Sequence, residues 1–145
     1  MEANERLVYV SVGASTYQSP DNQFARFEKL IANSIHKERF YLLGWRPWSE
    51  LAGYYYESDV GINIDAQHYE TIYGTRTRLV EMVGQGLPIV TSFGTELSSL
   101  LVDAGAAVGF SIGNYVQFGN QLTRLVADAE LKNTMSISAL AFAKG

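Results

Sequence analysis

The sequence predicts an α/β three-layer sandwich, a parallel sheet of about five strands with helices on both faces. Three observations carry this prediction. Short apolar runs of strand length alternate with longer stretches whose apolar residues recur every three or four positions, the pattern of buried parallel strands joined by amphipathic helices. Glycines fall where these runs should end, at Gly13, Gly44, Gly86 and Gly105. The chain of 145 residues is 47% hydrophobic and shows no repeat, linker or low-complexity segment, which suits one domain burying about 70% of its unfolded surface.

Residues 7–12 read as a buried strand ending at Gly13. The loop 14–22, with Ser15, Thr16, Tyr17 and Ser19, is long for a strand-to-helix connection, and long loops at the carboxyl edge of such a sheet are often functional. A single Gly13 is nevertheless not a G-x-G-x-x-G fingerprint. Phe24, Phe27, Leu30 and Ile31 predict a helix that starts after Pro20-Asp21 and packs on the sheet, with His36 at its polar end as a partner for the helix dipole. Residues 39–43 form the second strand. In Trp45-Arg46-Pro47-Trp48 the aromatics suit stacking on a sugar or base, but Trp48, Leu51 and Tyr55 recur at i, i+3, i+7 and predict the core face of a helix. Trp45 and Arg46 fall outside that spacing.

The centre of the chain is DAQHYETIYGTRTRLVEMVGQGLPIVTS, residues 65–92. It follows the buried strand 60–64 and reads as a polar loop, an amphipathic helix, a glycine stop and a further strand, 89–91. Thr75 or Thr77 is the expected N-cap, Leu79, Met82 and Val83 make the apolar face, and Thr77, Arg78 and Glu81 share the opposite face. Gly86 and Leu87-Pro88 end the helix. A loop after a parallel strand presents the next helix N-terminus at the ligand crevice, and Arg76 and Arg78 beside it suit a phosphate or diphosphate. Glu81, unsuited to phosphate, suits the vicinal hydroxyls of a ribose. The same spacing also describes an ordinary surface pair between Arg78 and Glu81 with a Thr75 cap.

Downstream, Thr95 is the expected N-cap of a helix with Glu96 in its first turn and Leu97, Leu100 and Leu101 buried. Residues 106–110 are a fifth strand. Asn114 caps a helix with Tyr115, Phe118, Leu122, Leu125 and Val126 inward, and a last helix over 130–143, bearing Leu131, Met135 and Leu140, folds back across the domain.

Several of these stretches resemble the nucleotide-sugar-binding domain of retaining GT-B-fold glycosyltransferases, which is Rossmann-like. Ser58 to Ile64 followed by Arg78-Leu79-Val80-Glu81-Met82-Val83-Gly84-Gln85-Gly86-Leu87-Pro88-Ile89-Val90-Thr91-Ser92 carries most of the likeness. Phe40 to Pro47, Glu50-Leu51, Tyr54-Tyr55-Tyr56 and Asp128-Ala129-Glu130-Leu131 extend it over most of the chain from about Leu7. The resemblance implies that Glu81 holds the ribose of the donor. The family's earlier glutamate, separated from it by seven intervening residues, would fall on Tyr73; Glu70-Thr71-Ile72-Tyr73-Gly74 resembles its Glu-x-Phe-Gly loop three residues upstream, so the resemblance passes the sugar-orienting role to Glu70. The implied donor site comprises Glu70, Tyr73, Gly74, Thr75, Arg76, Arg78 and Glu81, bordered by Trp45, Arg46, Gly94 and Thr95, with the arginines stabilising the departing diphosphate and no metal or cofactor required. Nothing before Leu7 supplies the family's first strand with its basic pyrophosphate-binding segment, and the acceptor-binding domain is absent. The expectation is one domain, 1–145, of a longer two-domain enzyme, inactive alone.

Composition limits the alternatives. A net charge of −4 offers no field for nucleic acid or anionic lipid. There is no cysteine, so thiol catalysis and thiolate metal sites are excluded, and His36 and His68 lack metal-ligand spacing. With an acidic, polar start and no apolar run of about 18 residues, the expected location is cytoplasmic, with attachment at the membrane left to the missing domain. Two other readings remain at this level: a nucleotide-sugar epimerase of the same fold, and a flavodoxin-like interaction domain, against which stands Ser11-Val12-Gly13-Ala14 where an acidic cluster belongs.

Overall fold

The computed structural model describes residues 7–13 and 23–145 and, at Glu70, the backbone alone. The loop 14–22, with the helix start expected after Pro20-Asp21, lies outside the described residues. The chain divides into two compact units, Met1–Leu51 and Ala52–Gly145.

In the first unit, β1 (Tyr9–Ser11) pairs in parallel with β2 (Phe40–Leu42), Tyr9 opposite Phe40 and Ser11 opposite Leu42. The helix α1 (Gln23–Ala32) turns Phe27 onto Tyr9, the rings meeting edge to face with centroids 5.8 Å apart, a favourable aromatic geometry. Phe24, Phe27 and Ile31 are half-buried as the periodicity predicts, but Leu30 is exposed. His36 sits in the turn after α1, where its backbone N–H donates to Ser34 Oγ. Arg39, expected to open the second strand, belongs to a 3-10 turn, Lys37–Arg39. The helix α2 (Trp48–Tyr56) forms where expected, but Trp48 is 72% exposed rather than in a core.

The second unit holds a three-stranded parallel sheet in the order β3 (Gly61–Asn63), β4 (Ile89–Ser92), β5 (Ala107–Phe110). Register places Asn63 opposite Thr91 and Ser92 opposite Phe110. Because side chains alternate along a strand, Ile89 and Ala107 enter one apolar cluster with Leu79, Met82, Val83 and Leu101, while Val90 and Phe110 enter a second with Leu125 and Met135. The first cluster is built by α4 (Thr77–Gly84) and α5 (Glu96–Asp103), the second by α6 (Tyr115–Ala127). The last helix, α7 (Ala129–Ala143), contributes Met135 to one and Ala139 to the other. The predicted fold class is therefore observed: α/β, Rossmann-like, with the five strands of the described residues parallel to their partners.

Both α4 and α5 end in the same way. Gly86 and Gly105 take φ of +70° and +72°, and the next N–H turns back, Leu87 to Met82 O and Ala106 to Leu101 O. This is the Schellman closure that glycine permits. In the second unit three further apolar residues fall off the expected faces: Leu100, Tyr115 and Leu140 are exposed. On α5, Ser98 is buried in place of Leu100. Among the described residues no helix is long and apolar enough to cross a membrane.

Candidate functional site

The carboxyl ends of β3 and β4 are polar although fully enclosed: Asn63, Asp65, Thr91 and Ser92 are all buried. Buried polar groups must pair, and here they pair with each other. Asn63 Nδ2 donates to Asp65 Oδ2 (2.8 Å) and Thr91 Oγ1 (3.0 Å), and the Asp65 N–H donates to Ser92 Oγ (2.9 Å). The Asp65 carboxylate, 2% exposed, is thereby fixed with Oδ1 turned to the following loop.

Two guanidiniums converge on that oxygen. Arg76 Nε lies 2.8 Å and Arg78 Nη2 3.0 Å from Asp65 Oδ1. Arg78 donates there and also, through Nε, to Asn63 Oδ1. Arg76 makes its directed hydrogen bond with Thr71 Oγ1 (2.9 Å), so its approach to Asp65 is one of charge rather than alignment. Thr71 in turn donates to Ala66 O. Two cations on one carboxylate leave an excess positive charge, and the Arg76 and Arg78 side chains remain 21% and 46% exposed. A buried anion thus presents a partly exposed cationic pair at the strand ends.

The connection 65–76 is not the simple loop that the sequence suggested. Tyr69–Tyr73 forms a one-turn helix, α3, whose Tyr69 and Tyr73 rings pack 4.8 Å apart in the open. Neither Thr75 nor Thr77 caps α4. The N-cap is Arg76, with extended backbone and no capping hydrogen bond, since a guanidinium has no acceptor to offer the helix N–H groups; its side chain turns to Thr71 and Asp65 instead.

Glu81, one turn into α4, meets Tyr55 of α2: the phenol donates to Glu81 Oε2 at 2.8 Å. Burial, then the hydrogen bond to Glu81, push the Tyr55 pKa up to about 12, opposed by the nearby charge of Arg78. Arg78 and Glu81 are neighbours at i, i+3, yet among the described residues they form no ion pair. The ordinary surface pair admitted by the spacing is not what forms. Asp65 and Asn63 draw Arg78 one way while Tyr55 holds Glu81 the other.

Beside this cluster the loops after β3, β4 and β5 border an open depression of about 330 Å³, walled by Gln67, Thr71, Ile72, Phe93, Gly94 and Ser111. Gly94 is required by close approach, since a Cβ there would stand 2.7 Å from Thr71 Cγ2 and 3.1 Å from Asp65 Cβ. Thr95 caps α5 as predicted, its Oγ1 accepting the Ser98 N–H, and Ser98 Oγ accepts the Thr95 N–H in return. This is a reciprocal capping box.

Of the residues expected at the site, the structure brings together Arg76, Arg78 and Glu81, with Gly94 against Thr71 and Asp65. Gly74 is half-buried, whereas Thr75 and Tyr73 are exposed. Trp45 and Arg46 are exposed in the first unit. Sequence reasoning passed over Asn63, Asp65, Thr71 and Tyr55. A polar residue at the fourth position of an otherwise apolar run, Asn63 in VGINI, was the signal for the first two.

The class defined by these features is a parallel α/β domain with a polar crevice at the carboxyl ends of its strands, where ligands of such folds bind. Two solved structures share the fold. One is WaaG, a glycosyltransferase involved in lipopolysaccharide biosynthesis, with a TM-score of 0.74 and 16% identity over 94% of this chain and 34% of that one. The other is sucrose-phosphate synthase from Thermosynechococcus elongatus, with a TM-score of 0.77 and 18% identity over 93% and 33%. The chain spans about one third of the length of each. The resemblance drawn from the sequence is therefore borne out in the fold, which the chain shares with part of each of these two proteins. No protein-family model and no curated protein sequence matches the chain.

Proposed function

We propose that this chain is the donor-binding domain of a retaining glycosyltransferase and binds a nucleoside diphosphate sugar, with the acceptor held by a second domain. The observation that carries the reading is the separation of Arg78 from Glu81. Opposite charges one turn apart on an exposed helix face attract weakly and lose little by pairing. Here each is anchored to a different group, so a cation and a carboxylate stay available side by side. Arg76 and Arg78 suit the diphosphate, which gains charge as the sugar leaves and is stabilised by preorganised cations. Glu81 suits the ribose hydroxyls. Glu70 and the segment to Gly74 suit the sugar, beside a depression lined in part by Thr71, Ile72 and Gly94. The fold likeness to glycosyltransferases supports the same assignment, and a cytoplasmic location accords with it.

The test is a calorimetric titration of the chain with UDP, GDP and ADP, repeated on Arg78→Ala and Glu81→Ala. Saturable binding of one nucleotide, weakened in both variants, is the expected result. Binding that survives both substitutions unchanged would overturn the assignment of the site.

A further inference from the structure

We propose that Tyr55 is a positioning residue for Glu81, and that by holding this carboxylate away from Arg78 it sets the preference of the site for ribonucleotides over 2′-deoxyribonucleotides. The proposal rests on the reading above that Glu81 takes ribose hydroxyls.

Tyr55 has two attachments. Its ring packs on the apolar cluster that contains Leu79, Met82 and Val83 of α4, and its hydroxyl donates to Glu81 Oε2 at 2.8 Å. The ring therefore fixes the donor relative to the helix that carries the carboxylate. A glutamate on a helix surface has three rotatable bonds, and ordering them on ligand binding costs affinity. The Tyr55 bond meets that cost in the free protein. It also removes the competing arrangement, because an unheld Glu81 lies within one turn of Arg78 and would fold onto the guanidinium. An ionised carboxylate oxygen has capacity for more than one donor, so Oε2 accepts from Tyr55 while the carboxylate still receives sugar hydroxyls. The phenol stays protonated, and so remains a donor, throughout the neutral range, since burial and Glu81 raise its pKa to about 12.

The test uses the full chain as wild type, Tyr55→Phe and Glu81→Ala. Each is titrated with the nucleoside diphosphate that binds wild type most tightly, with its 2′-deoxy counterpart, and with inorganic pyrophosphate. Wild type is expected to favour the ribonucleotide by about tenfold or more, as a hydrogen bond to a charged group allows. Tyr55→Phe keeps the ring, and thermal melting verifies that it folds; it should lower the preference at least about threefold while pyrophosphate affinity stays unchanged. A merely structural role would weaken pyrophosphate and nucleotide alike, and that outcome overturns the proposal. So does a preference retained in Tyr55→Phe but abolished in Glu81→Ala, which leaves the reading of Glu81 intact. A preference unaffected by Glu81→Ala instead removes the ribose assignment itself. Should phenylalanine not be tolerated, Tyr55→Met, which also lacks the hydroxyl, gives the same comparison.

Discussion

Two strand-to-helix junctions follow neighbouring parallel strands in this chain, and they treat their polar groups in opposite ways. At the junction after β4, Thr95 and Ser98 cap one another, so the first turn of α5 is satisfied from within. At the junction after β3, α4 starts on Arg76 with no side-chain cap, and the guanidinium that might have disturbed the helix start is drawn to Asp65 and Thr71. The first junction is closed chemistry, while the second keeps surplus positive charge at the crevice. Equivalent positions in one sheet thus differ, one satisfying its own polar groups and the other leaving two guanidiniums partly exposed, and hydrogen-bond partners distinguish them where sequence patterns do not.

Breaking the second junction should have the largest effect on stability. Asp65→Ala removes the carboxylate that both guanidiniums face and should cost about 3 kcal/mol, the range for splitting a buried ion pair, reduced here because the arginines reach water; a fall in the urea midpoint measures it. Arg78→Ala should act next, on binding: losing a charge-assisted contact costs about 2 kcal/mol, roughly thirtyfold in nucleotide affinity by calorimetry. The first junction offers the contrast. Thr95→Ala should cost about 1 kcal/mol of stability, the usual value of an N-cap, seen as a smaller shift of the same urea midpoint.

The smallest effect is in the alkaline range. Tyr55 has its pKa raised from 10.0 to about 12 in the folded chain, so folding favours the protonated phenol. Its contribution is complete below pH 10, the unfolded value, and is lost as pH rises through about 12. Tyr55→Phe should flatten the dependence of the thermal midpoint on pH within that window, and an unchanged slope would show that folding does not raise the phenol's pKa through its burial and its bond to Glu81.

Much of the fold was legible because it follows from periodicity and from glycine. Leu79, Met82 and Val83 are buried as their spacing required, and Gly86 and Gly105 close their helices. The misplaced residues have a common cause. Trp48, Leu100, Tyr115 and Leu140 are apolar and in helical register yet exposed, and apolarity alone does not fix which edge of a helix faces inward. The site was half legible. Arg76, Arg78 and Glu81 could be named from spacing within one helix. Asp65, Asn63 and Tyr55 act through partners 11 to 26 residues distant, and only three-dimensional proximity shows those pairings.

The most direct test of the account is a crystal structure of the chain with the nucleoside diphosphate selected by calorimetry. The account predicts the diphosphate within hydrogen-bond distance of Arg76 and Arg78, the ribose hydroxyls on Glu81, and Tyr55 still bonded to that carboxylate. A nucleotide bound away from these three side chains, or a direct ion pair between Arg78 and Glu81 beside it, would contradict it.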